Sequence, residues 1–568
     1  MTRKKKQIAV IDFETDPFLF GRIPYPFAAG FYDGVQMVTF WGNNCVESLV
    51  DFINDLDDKY IIYAHNGGKF DFHFLLPYLE ENIKIINGRI AECFIGDQTL
   101  RDSLLILPLA LKNHAKTEID YSKFEVGERE KHRHEITQYL KDDCKYLFEW
   151  VSKFIDRFGV NLTLPGACFK YAKKHFQYDI EKTDNDYDLH FRSFYYGGRV
   201  EAIQSGVIPG PLKYYDITSA YPFGMLSEHP KGNDFIQLKK LQKKAGCWFA
   251  EIDAVSNGCL PYREEGQKMQ YFRDDKVRKY FATGWEIIAG LETGTLSIVE
   301  THAVYKHCFT SNYKEYVNYF FEEKANAKKN GDVDTEIFSK LFLNAFYGKK
   351  GQDSRLFHDY IIREFGSDEI DGFTWDCDFG NFELHKRKSK DDEDCDFYNV
   401  ATAASITGFV RAFLWRAICG SCNPVYCDTD SLLCGSMGTM DEQDSSKLGA
   451  WKIEADIASA YIGGRKFYLL DLMPGSFDPI KEKSYKMATK GFRATPEQLR
   501  KSIEQGTLIE YKKDAPAFNL KYGAGFIERD IYPENSKQKV KKIRDKTDRF
   551  VLKDNEWGFK FKKKKNNR

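Results

Sequence analysis

Short apolar runs that lead into acidic residues recur along this chain. Residues 8–11, 61–64 and 425–427 are apolar, and runs of this length favour buried strands. Acidic residues follow each run: Asp12 and Glu14 after the first, Asp71 after the second, and Asp428 and Asp430 after the third. Side chains alternate along a strand, so two acids separated by one residue share a face if the strand continues. On a tight turn between two strands, such a pair can also converge.

A helical pattern occupies residues 340–349. Apolar residues recur there at helical intervals, namely Leu341, Phe342, Ala345 and Phe346. On such a helix Lys340, Asn344 and Tyr347 fall on one stripe, a turn apart. A cation, an amide and an aromatic ring on one stripe suit the phosphates, the polar edge and the base of a nucleoside triphosphate. A lone helix lysine is more commonly just solvated, so this stripe alone leaves both interpretations open.

A further acid completes a candidate metal site. The strand-like, aromatic run 213–216 ends at Asp216, and a turn then leads to Pro222. Asp216, Asp428 and Asp430 would repel one another at close range unless divalent cations lay between them, and oxygen ligands favour Mg²⁺ or Mn²⁺ over zinc. Two such ions can clamp the attacking and leaving oxygens in phosphoryl transfer. Asp-Thr-Asp is also ordinary turn chemistry, and alone it leaves the two interpretations about even.

The N-terminal acids form a second candidate cluster. Asp12, Glu14, Asp71 and Asp143 could together hold two metal ions. Tyr139 and Asp143 lie one turn apart in a helix-like stretch, so the Tyr139 hydroxyl could orient a water molecule for attack on a phosphodiester. A pair of charges at a strand end is the alternative for Asp-x-Glu alone, and the presence of three acidic motifs in order weakens it.

Three motifs resemble those of family B DNA polymerases. They are Asp-x-x-Ser-x-Tyr-Pro from Asp216, Lys-x-x-x-Asn-x-x-Tyr-Gly from Lys340 and Tyr-x-Asp-Thr-Asp-Ser from Tyr426, in that order. The N-terminal acids are similar to the three-motif 3′–5′ exonuclease module of proofreading polymerases. The long intervals from Asp216 to Lys340 and from Gly348 to Tyr426 resemble two insertions of the protein-primed branch, found in phages and linear plasmids. Ala345 departs from that branch, which commonly has serine there.

The resemblance implies an α+β and α/β multidomain fold, in which an RNase H-like 3′–5′ exonuclease domain precedes a right-hand polymerase. The first insertion would contact a priming terminal protein. The second would encircle template and displaced strand, and would give processivity and strand displacement. The expected divisions are 1–163 exonuclease, 164–227 first part of the palm, 228–315 first insertion, 316–351 fingers, 352–400 second insertion, 401–512 second part of the palm, and 513–568 thumb with a basic tail.

The resemblance also implies roles in the two sites. In the polymerase site Asp216 and Asp430 would bind two ions with help from the carbonyl of Ile217, and Asp428 would be a ligand or lie directly behind the ligands. The nucleotide would be held at its phosphates by Lys340 and by a second lysine, for which Lys324, Lys328 and Lys329 all qualify and Lys324 is preferred. Asn344 would also contact the nucleotide, Tyr347 would pack on the nascent base pair, and Tyr221 would fill the space of a ribose 2′-hydroxyl. In the exonuclease site Asp12, Glu14, Asp71 and Asp143 would hold two ions, with Tyr139 assisting.

Other motifs imply contacts with DNA. Tyr195, Gly197 and Gly198 resemble a linker motif that contacts the template, and Lys466 with Tyr468 matches a Lys-x-Tyr motif. Exonuclease motifs that hold the single-stranded primer end would supply His65, Asn66, Phe70, Ser103, Leu104 and Lys116. The expected partners are primer–template DNA, single-stranded DNA, deoxynucleoside triphosphates and a terminal protein.

Composition agrees with an intracellular enzyme. The 568 residues carry a net charge of −1, with a pI of about 6.9, so DNA would be bound by local basic patches, such as 537–549 and 562–565. No apolar run approaches a membrane span, and no secretory signal is evident. The 13 scattered cysteines are typical of a reducing compartment, the host cytoplasm if a phage encodes the chain. We expect a monomer.

Two sets of alternatives remain open at this point. Cys419, Cys422, Cys427 and Cys434 are a weak candidate metal site, since a lone C-x-x-C says little and Cys427 lies within a motif strand. The enzyme could instead be a conventional family B polymerase primed by nucleic acid, or an exonuclease whose polymerase half only binds DNA. The intact Asp216, Asp428 and Asp430 argue against the last alternative. A neighbouring gene for a small terminal protein would argue for protein priming.

Overall fold

The computed structural model describes most of the chain. The described residues are 7–115, 117–176, 178, 183–264, 267–364, 366, 370–379, 382–389, 398–438, 444, 446–476, 484–520, 523–534 and 548–552. The N-terminal elements are β1 (Gln7–Thr15), β2 (Pro26–Tyr32), β3 (Met37–Trp41), α1 (Cys45–Asn54), β4 (Tyr60–Ala64), α2 (Asp71–Phe74), β5 (Asn82–Ile86), β6 (Arg89–Ile95), β7 (Gln98–Asp102) and α3 (Arg133–Phe158).

The N-terminal sheet is covered by helices on both faces. β1 pairs in parallel with β4, and β4 with β7, whereas the other pairs in this region are antiparallel. Because side chains alternate along β1, Val10 packs in the cluster that contains the apolar face of α3, and Ala9 and Ile11 pack in the cluster that contains α1. The predicted strands at 8–11 and 61–64 and the predicted helix around Tyr139 are confirmed.

The middle of the chain forms a small sheet and a helical pair. Strands β10, β13, β11 and β12 form a four-stranded antiparallel sheet in that order, and α7 packs on it. Helices α8 and α9 pack against each other. The elements are α4 (Leu164–Phe176), α5 (Asn185–Arg192), β8 (Val200–Ala202), β9 (Gly206–Ile217), α6 (Ala220–Gly224), β10 (His229–Leu238), β11 (Trp248–Ser256), β12 (Arg278–Thr283), α7 (Gly284–Glu292), β13 (Leu296–Ser311), α8 (Lys314–Asn330) and α9 (Val333–Lys350).

The remaining elements build the sheet that carries the polymerase motifs. Its antiparallel order is β21-β20-β19-β9-β18-β17-β8, and α10, which is almost entirely buried, packs beside it. The elements are β14 (His358–Glu364), β15 (Thr374–Phe379), β16 (Phe382–Lys388), α10 (Val400–Gly420), β17 (Tyr426–Asp428), β18 (Ser431–Cys434), β19 (Trp451–Gly464), β20 (Phe467–Leu472), β21 (Tyr485–Thr489), α11 (Pro496–Gln505), β22 (Ile509–Lys512), β23 (Ala517–Asn519), β24 (Gly523–Ile531) and β25 (Asp548–Leu552).

Strands from the polymerase half extend the N-terminal sheet. β14 pairs with the edge strand β5, which makes a ten-stranded sheet of order β15-β16-β14-β5-β6-β7-β4-β1-β2-β3. Ile362, Cys377 and Leu384 from β14–β16 are buried in the same apolar cluster as Ile83 and Cys93. The second predicted insertion is therefore packed onto the N-terminal domain by both hydrogen bonds and apolar burial.

The C-terminal strands also reach the N-terminal domain. β24 pairs with β22, β23 and β25. Phe518 of β23 packs edge-on against Phe70 and Phe74, with ring centroids 5.5 and 5.8 Å apart. Apart from residues 548–549, the basic segments predicted at 537–549 and 562–565 lie outside the described residues.

Candidate active sites

The two polymerase aspartates lie on a tight hairpin. β17 and β18 pair antiparallel with Asp428 opposite Ser431, so Thr429 and Asp430 form a two-residue turn. Thr429 has the left-handed φ of 63°, which such turns require. Of the two arrangements that the sequence left open, the turn is the one observed.

Asp216 lies beside this turn on the neighbouring strand. β9 pairs with β18 so that Asp216 faces Ser431, and the Ile217 amide donates to the Asp430 carbonyl at 2.7 Å. Burial raises the pKa of Asp430 to about 6, with further contributions from the charges of Asp216 and Asp428. Burial also raises the pKa of Asp216, and the charge of Glu454 adds to that effect. Asp430 therefore experiences the negative charge of both neighbouring aspartates.

Asp428 differs from the other two aspartates because a lysine neutralises it. The Lys466 ammonium donates to both Asp428 oxygens, at 2.8 and 2.7 Å. The Lys466 amide donates to the Tyr426 hydroxyl at 2.9 Å, and Tyr468 packs edge-on against Tyr426 with ring centroids 4.9 Å apart. Lys466 and Tyr468, predicted to touch DNA, thus support the Asp428 side of the turn.

A charged network that sequence reasoning missed lies behind Asp216. Lys452 is directly opposite Asp216 in the β19–β9 pairing, and its ammonium lies 3.3 Å from Asp216 Oδ2. Glu454 binds Lys452 at 3.1 Å and Lys486 at 2.6 Å. In the sequence, these residues are marked only by the alternating charges Lys-x-Glu in an extended run. That pattern does not predict which neighbouring strand the charges will face.

The predicted stripe on α9 faces away from the apolar core. Phe342 and Phe346 are buried, whereas Lys340 and Asn344 are exposed, as the helical spacing predicted. Tyr347 stacks on Tyr221, with ring centroids 4.2 Å apart and an interplanar angle of 11°. The two tyrosines therefore connect α9 to α6.

Lys324 of α8 lies within electrostatic reach of Lys340. Burial lowers the pKa of Lys324, and the positive charges of Lys340 and Lys452 lower it further. A polyanion bound near Lys324 would relieve this repulsion. The arrangement suits the triphosphate role predicted for Lys324 and Lys340.

The Tyr-Tyr-Gly-Gly segment is held by α10 and by the acidic turn. The buried Arg411 of α10 donates to the carbonyls of Tyr196 at 2.6 Å and Gly197 at 2.8 Å. A Cβ atom at Gly198 would lie 2.7 Å from the Tyr221 hydroxyl and 2.8 Å from Thr429 Cγ2, so only glycine fits there. Tyr195 is half-buried, and its ring lies against Gly351, just beyond α9.

Arg199, which follows this segment, ties the acidic turn to the first insertion. Its carbonyl accepts a hydrogen bond from the Thr429 amide at 2.6 Å. Its buried guanidinium donates to Glu201 and, at 2.8 Å, to the carbonyl of Gly258. It also lies over the Tyr271 ring, 3.9 Å from the ring centroid. Sequence analysis missed Arg199, because nothing in its local pattern separates it from a surface arginine.

The N-terminal acids gather where β1 passes close to α3. Burial raises the pKa of Asp12 well above its usual range, and the charges of Asp71 and Asp143 add to this. Burial raises the pKa of Asp71 to about 7. Gly30 pairs with Asp12, and a Cβ atom at Gly30 would lie 2.9 Å from Cys144 Sγ. The missing side chain lets α3, which carries Asp143, approach β1.

Tyr139 also faces this cluster. Burial raises the pKa of Tyr139, a hydrogen bond with Tyr121 raises it further, and the charges of Asp143 and Glu14 contribute. The Tyr139 and Tyr121 hydroxyls lie 3.2 Å apart. The structure thus brings together the five residues predicted for the exonuclease site, and adds Tyr121 as a partner of Tyr139.

The residues predicted to hold a single-stranded end are distributed differently. His65 bridges the Ser103 hydroxyl and the Leu109 carbonyl, at 2.9 Å each. Asn66 has a φ of 65° and accepts a hydrogen bond from Arg89 at 2.9 Å. His65, Asn66 and Ser103 are therefore bonded within the protein and shape the loop itself.

Other predicted contacts in this region have apolar or backbone surroundings. The Leu104 amide donates to Asp102 Oδ1 at 2.9 Å, which begins a short 3₁₀ turn. Phe70 packs against Phe18, with ring centroids 5.6 Å apart. Lys116 lies outside the described residues.

Both acid clusters fit divalent cations. Carboxylate oxygens are the ligands that Mg²⁺ and Mn²⁺ prefer, and the raised pKa values of Asp430 and Asp71 reflect burial and repulsion that a bound cation would relieve. Within the described part of the chain, one group alone brings three ligand atoms within 4.8 Å of one another: Asp253, Glu300 and His302, in the sheet of the first insertion. None of the acids predicted for the two active sites belongs to that group.

The four candidate cysteines do not share one environment. Cys427 and Cys434 are fully buried in an apolar cluster on the motif strands. Cys419 and Cys422 are exposed. Cys427 therefore has the packing role that its place in the motif strand predicted.

Comparison with known proteins gives a consistent result. A family model described as DNA polymerase type B, organellar and viral, matches residues 115–432. The DNA-directed DNA polymerase of Enterobacteria phage PRD1 is 34% identical over 557 residues, which cover 93% of this chain and 99% of that protein. A probable DNA polymerase of Agaricus bitorquis is 26% identical over 379 residues, which cover 54% of this chain and 46% of that protein.

Solved structures show the same architecture. Phi29 DNA polymerase complexed with primer-template DNA superposes with a TM-score of 0.70 at 16% identity, over 93% of this chain and 100% of that chain. Phi29 DNA polymerase complexed with primer-template DNA and incoming nucleotide substrates gives a TM-score of 0.68 at 16% identity, with the same coverage. The fold is thus that of a multidomain α+β polymerase, and the predicted fold class is confirmed.

The sequence relationship defines the family. The chain belongs to the organellar and viral type B DNA polymerases, and it is a DNA-directed DNA polymerase. The predicted family resemblance and polymerase activity are therefore confirmed. Enzymes of this family use divalent metal ions. Among the helices in the described ranges, none is long and apolar enough to cross a membrane.

Proposed function

We propose that this enzyme is a replicative, protein-primed and strand-displacing DNA polymerase with a 3′–5′ proofreading exonuclease. Each site would work with two Mg²⁺ or Mn²⁺ ions. The observation that supports the proposal is that two separate acid clusters stand on strands, helices and a tight turn, and contain carboxylates of raised pKa. Titratable groups perturbed in this way are typical of active sites.

In the polymerase site, Asp216, Asp430 and the Ile217 carbonyl would hold the ions. When bound, the ions would lower the pKa of the primer 3′-hydroxyl and neutralise charge on the triphosphate and pyrophosphate. Lys466 neutralises Asp428, so Asp428 is less available as a ligand than the other two. We therefore assign Asp428 to support the turn from behind.

The fingers residues would hold the incoming deoxynucleotide. Lys340 and Lys324 would stabilise its phosphates as point charges, and Asn344 lies on the same exposed stripe. The stacked rings of Tyr221 and Tyr347 would then face the sugar and the nascent base pair. Tyr221 would exclude a ribose 2′-hydroxyl by filling its space.

In the exonuclease site, Asp12, Glu14, Asp71 and Asp143 would hold two ions. Tyr139 has a raised pKa and stays a neutral hydroxyl, so it would orient the attacking water by hydrogen bonding. A frayed primer end would lie along the loop shaped by His65, Asn66 and Ser103, near Phe70, Leu104 and Lys116. A mismatched end frays more readily, which gives the editing reaction its selectivity.

Protein priming is proposed from the two insertions. The sheet β10–β13 and the strands β14–β16 occupy the intervals between the polymerase motifs, as the resemblance to the protein-primed branch implied. A conventional enzyme primed by nucleic acid is the alternative. Protease-sensitive proteins on the 5′ ends of the replicated genome would support protein priming, and free 5′ ends would contradict it. We further propose that the enzyme acts as a monomer inside the host cell.

The two-site proposal predicts separable activities. With Mg²⁺ and a labelled primer–template, Asp430→Ala should lower extension by a factor of at least ~10² and keep degradation. Asp12→Ala/Glu14→Ala should lose degradation and keep extension, since the two carboxylate sets are separate. Product lengths with and without nucleotides measure both activities.

A matched control removes an acid elsewhere. Asp253 lies in the first insertion, and Asp253→Ala should keep both activities. If Asp430→Ala still extends the primer, the polymerase site lies elsewhere. If the double variant still degrades DNA, the N-terminal acids are not an exonuclease site.

A further inference from the structure

An open cavity lies between the segment that follows α6 and the start of α8, beside the sheet β10–β13. It has a volume of about 930 Å³ and is lined by Ser227, the loop 242–248, Trp285, Lys306, His307 and Lys314. Ligand pockets typically measure ~300–1,000 Å³, so the cavity could hold a nucleotide. None of the residues assigned above to the polymerase or exonuclease site lines it.

The cavity concentrates positive charge. Lys243, Lys244, Lys306 and Lys314 line it, and none of them forms an ion pair within 4 Å among the described residues. The single acid in the lining is Glu228, so four lysines and one glutamate leave a formal charge of +3. Like charges held around one space repel one another unless an anion neutralises them.

Glu228 offsets only one of the four positive charges. Its two oxygens accept hydrogen bonds from Asn312 at 2.6 Å and from Thr310 at 2.8 Å. These bonds, with the charge of Lys314, lower the pKa of Glu228. The carboxylate is therefore ionised, and both of its oxygens are bonded to residues just before α8.

Trp285 provides a rigid aromatic wall. Its Nε1 donates to the Ser405 hydroxyl at 2.9 Å, and Ser405 in turn bonds to the buried His229 at 2.9 Å. His229 also bonds to the carbonyl of Gly224, at the end of α6, at 2.7 Å. An indole fixed in this way can stack a planar base without losing side-chain freedom on binding.

The lining also contains an unsatisfied polar atom. His307 is 3% exposed, and its Nδ1 has no hydrogen-bond partner among the described residues. Its Nε2 bonds to the Tyr187 hydroxyl at 2.7 Å. Nδ1 is itself buried, and the His307 ring packs against Phe191 and Phe249, with ring centroids 4.8 and 5.4 Å apart. His307 is therefore a fixed part of the wall, and we assign it no contact with a ligand.

We propose that this cavity is a second nucleotide site, which binds a free nucleoside polyphosphate. The lysines would hold the phosphates, and the base would lie on Trp285. A strand of DNA presents one negative charge per phosphate along its length, whereas a triphosphate concentrates its charge at one point. The net charge of the cavity therefore matches a polyphosphate better than a strand.

The experiment measures dATP binding to the full chain by equilibrium dialysis after divalent ions are removed on a chelating resin. Without divalent ions, binding at the polymerase site is suppressed. We expect about one dATP per chain, with affinity at least ~10-fold lower in Lys306→Ala and in Lys243→Ala/Lys244→Ala, since each removed lysine takes a phosphate contact with it. Lys239 and Lys240 lie on the same loop but outside the cavity lining. The control variant Lys239→Ala/Lys240→Ala should therefore bind dATP with unchanged affinity.

Further arms identify the ligand and the site. Trp285→Leu should weaken dATP binding several-fold without changing the binding of inorganic tripolyphosphate. If Lys340→Ala abolishes binding while Lys306→Ala does not, the nucleotide is in the polymerase site and the proposal is wrong. Tripolyphosphate as tight as dATP, or oligo(dT) bound in place of dATP, would also overturn it. Unchanged thermal midpoints show that the variants are folded, and loss of dATP binding in a folded Lys306→Ala variant supports the proposal.

Discussion

Lys350, the last residue of α9, is a buried amine with no carboxylate partner in the described ranges. It is 5% exposed, and its ammonium lies 5.4 and 5.1 Å from the ring centroids of Phe169 and Tyr313. Burial lowers its pKa to about 7. Among the described titratable groups with a shifted pKa, the charge of Lys350 affects one other side chain: it helps to lower the pKa of the buried His229.

This lysine makes the stability of the protein depend on pH. From pH 7 up to the ordinary lysine pKa, the unfolded chain binds a proton that the folded chain does not, so stability rises with pH across that window. Lys350→Met removes the cost of burying the amine. We expect the variant to be more stable at pH 7, with an advantage that shrinks by about 2 kcal/mol between pH 7 and pH 9.

Urea unfolding of both proteins at the two pH values measures this difference. Lys349→Met is the matched control, because Lys349 is half-buried and binds Gln352 at 2.6 Å. The control should show no such pH-dependent gain. An advantage of Lys350→Met that stays constant from pH 7 to pH 9 would mean that the amine is charged in the folded protein throughout.

At the scale of single residues, the sequence predicted those functional side chains that lie at regular intervals along one strand or helix. Asp428 and Asp430 are separated by one residue, and Lys340, Asn344 and Tyr347 recur at helical intervals, so their common placement follows from local geometry. Arg199 and Lys452 could not be predicted in this way. Their partners are set by the strand pairings of β19 with β9 and by the packing of the first insertion, which are long-range features.

At the scale of elements, the approach of α3 to β2 depends on one glycine. A Cβ atom at Gly30 would meet Cys144 Sγ at 2.9 Å and Leu140 Cγ at 3.1 Å. These neighbours belong to the rigid helix that carries Tyr139 and Asp143. Gly30→Ala would therefore push α3 away from β1.

We expect Gly30→Ala to damage the exonuclease site selectively. Overpacking of this kind costs about 1–3 kcal/mol, and a small displacement of catalytic groups can lower a rate by ~10- to ~100-fold. Degradation of single-stranded DNA should fall accordingly, while primer extension stays close to normal. Gly127→Ala is the control, because nothing lies within 4 Å of a Cβ atom there. Equal losses of both activities would show a general folding defect instead.

The types of element were easier to predict than their partners. The apolar spacing of 340–349 predicted both the helix α9 and its buried face, because an amphipathic helix is recorded in its own sequence. The spacing of apolar residues in 358–388 predicted neither the strands nor their buried face. Its strands β14–β16 carry many charged residues that pair with one another, as Lys386 does with Asp376, and a solvated loop would have the same composition.

At the scale of the whole molecule, parts of the chain that are distant in sequence complete the core of the N-terminal domain. Leu384 of β16 is 1% exposed and packs in the cluster of the N-terminal sheet. Leu384→Ala should cost about 2–5 kcal/mol. The loss should appear as faster amide hydrogen exchange in β5–β7, with little change in β9 and β19.

The matched control for this prediction is on the same hairpin. Trp375 of β15 is 43% exposed, so Trp375→Ala should leave exchange in β5–β7 nearly unchanged. Faster exchange confined to β14–β16 in Leu384→Ala would show that the hairpin can detach without loosening the N-terminal domain.

The pairing of β14 with β5 also bears on how such enzymes can be divided and recombined. A fragment that ended after α3 would expose the polar edge of β5 together with the apolar surface that Ile362, Leu384 and Phe518 cover. Exposed edges of this kind promote association between chains. An exchange of the N-terminal domain with that of a relative would keep a packed core only if the hairpin and the C-terminal strand moved with it. The unit that can be exchanged between relatives is therefore one continuous body in space, but it is encoded by separate segments of the gene.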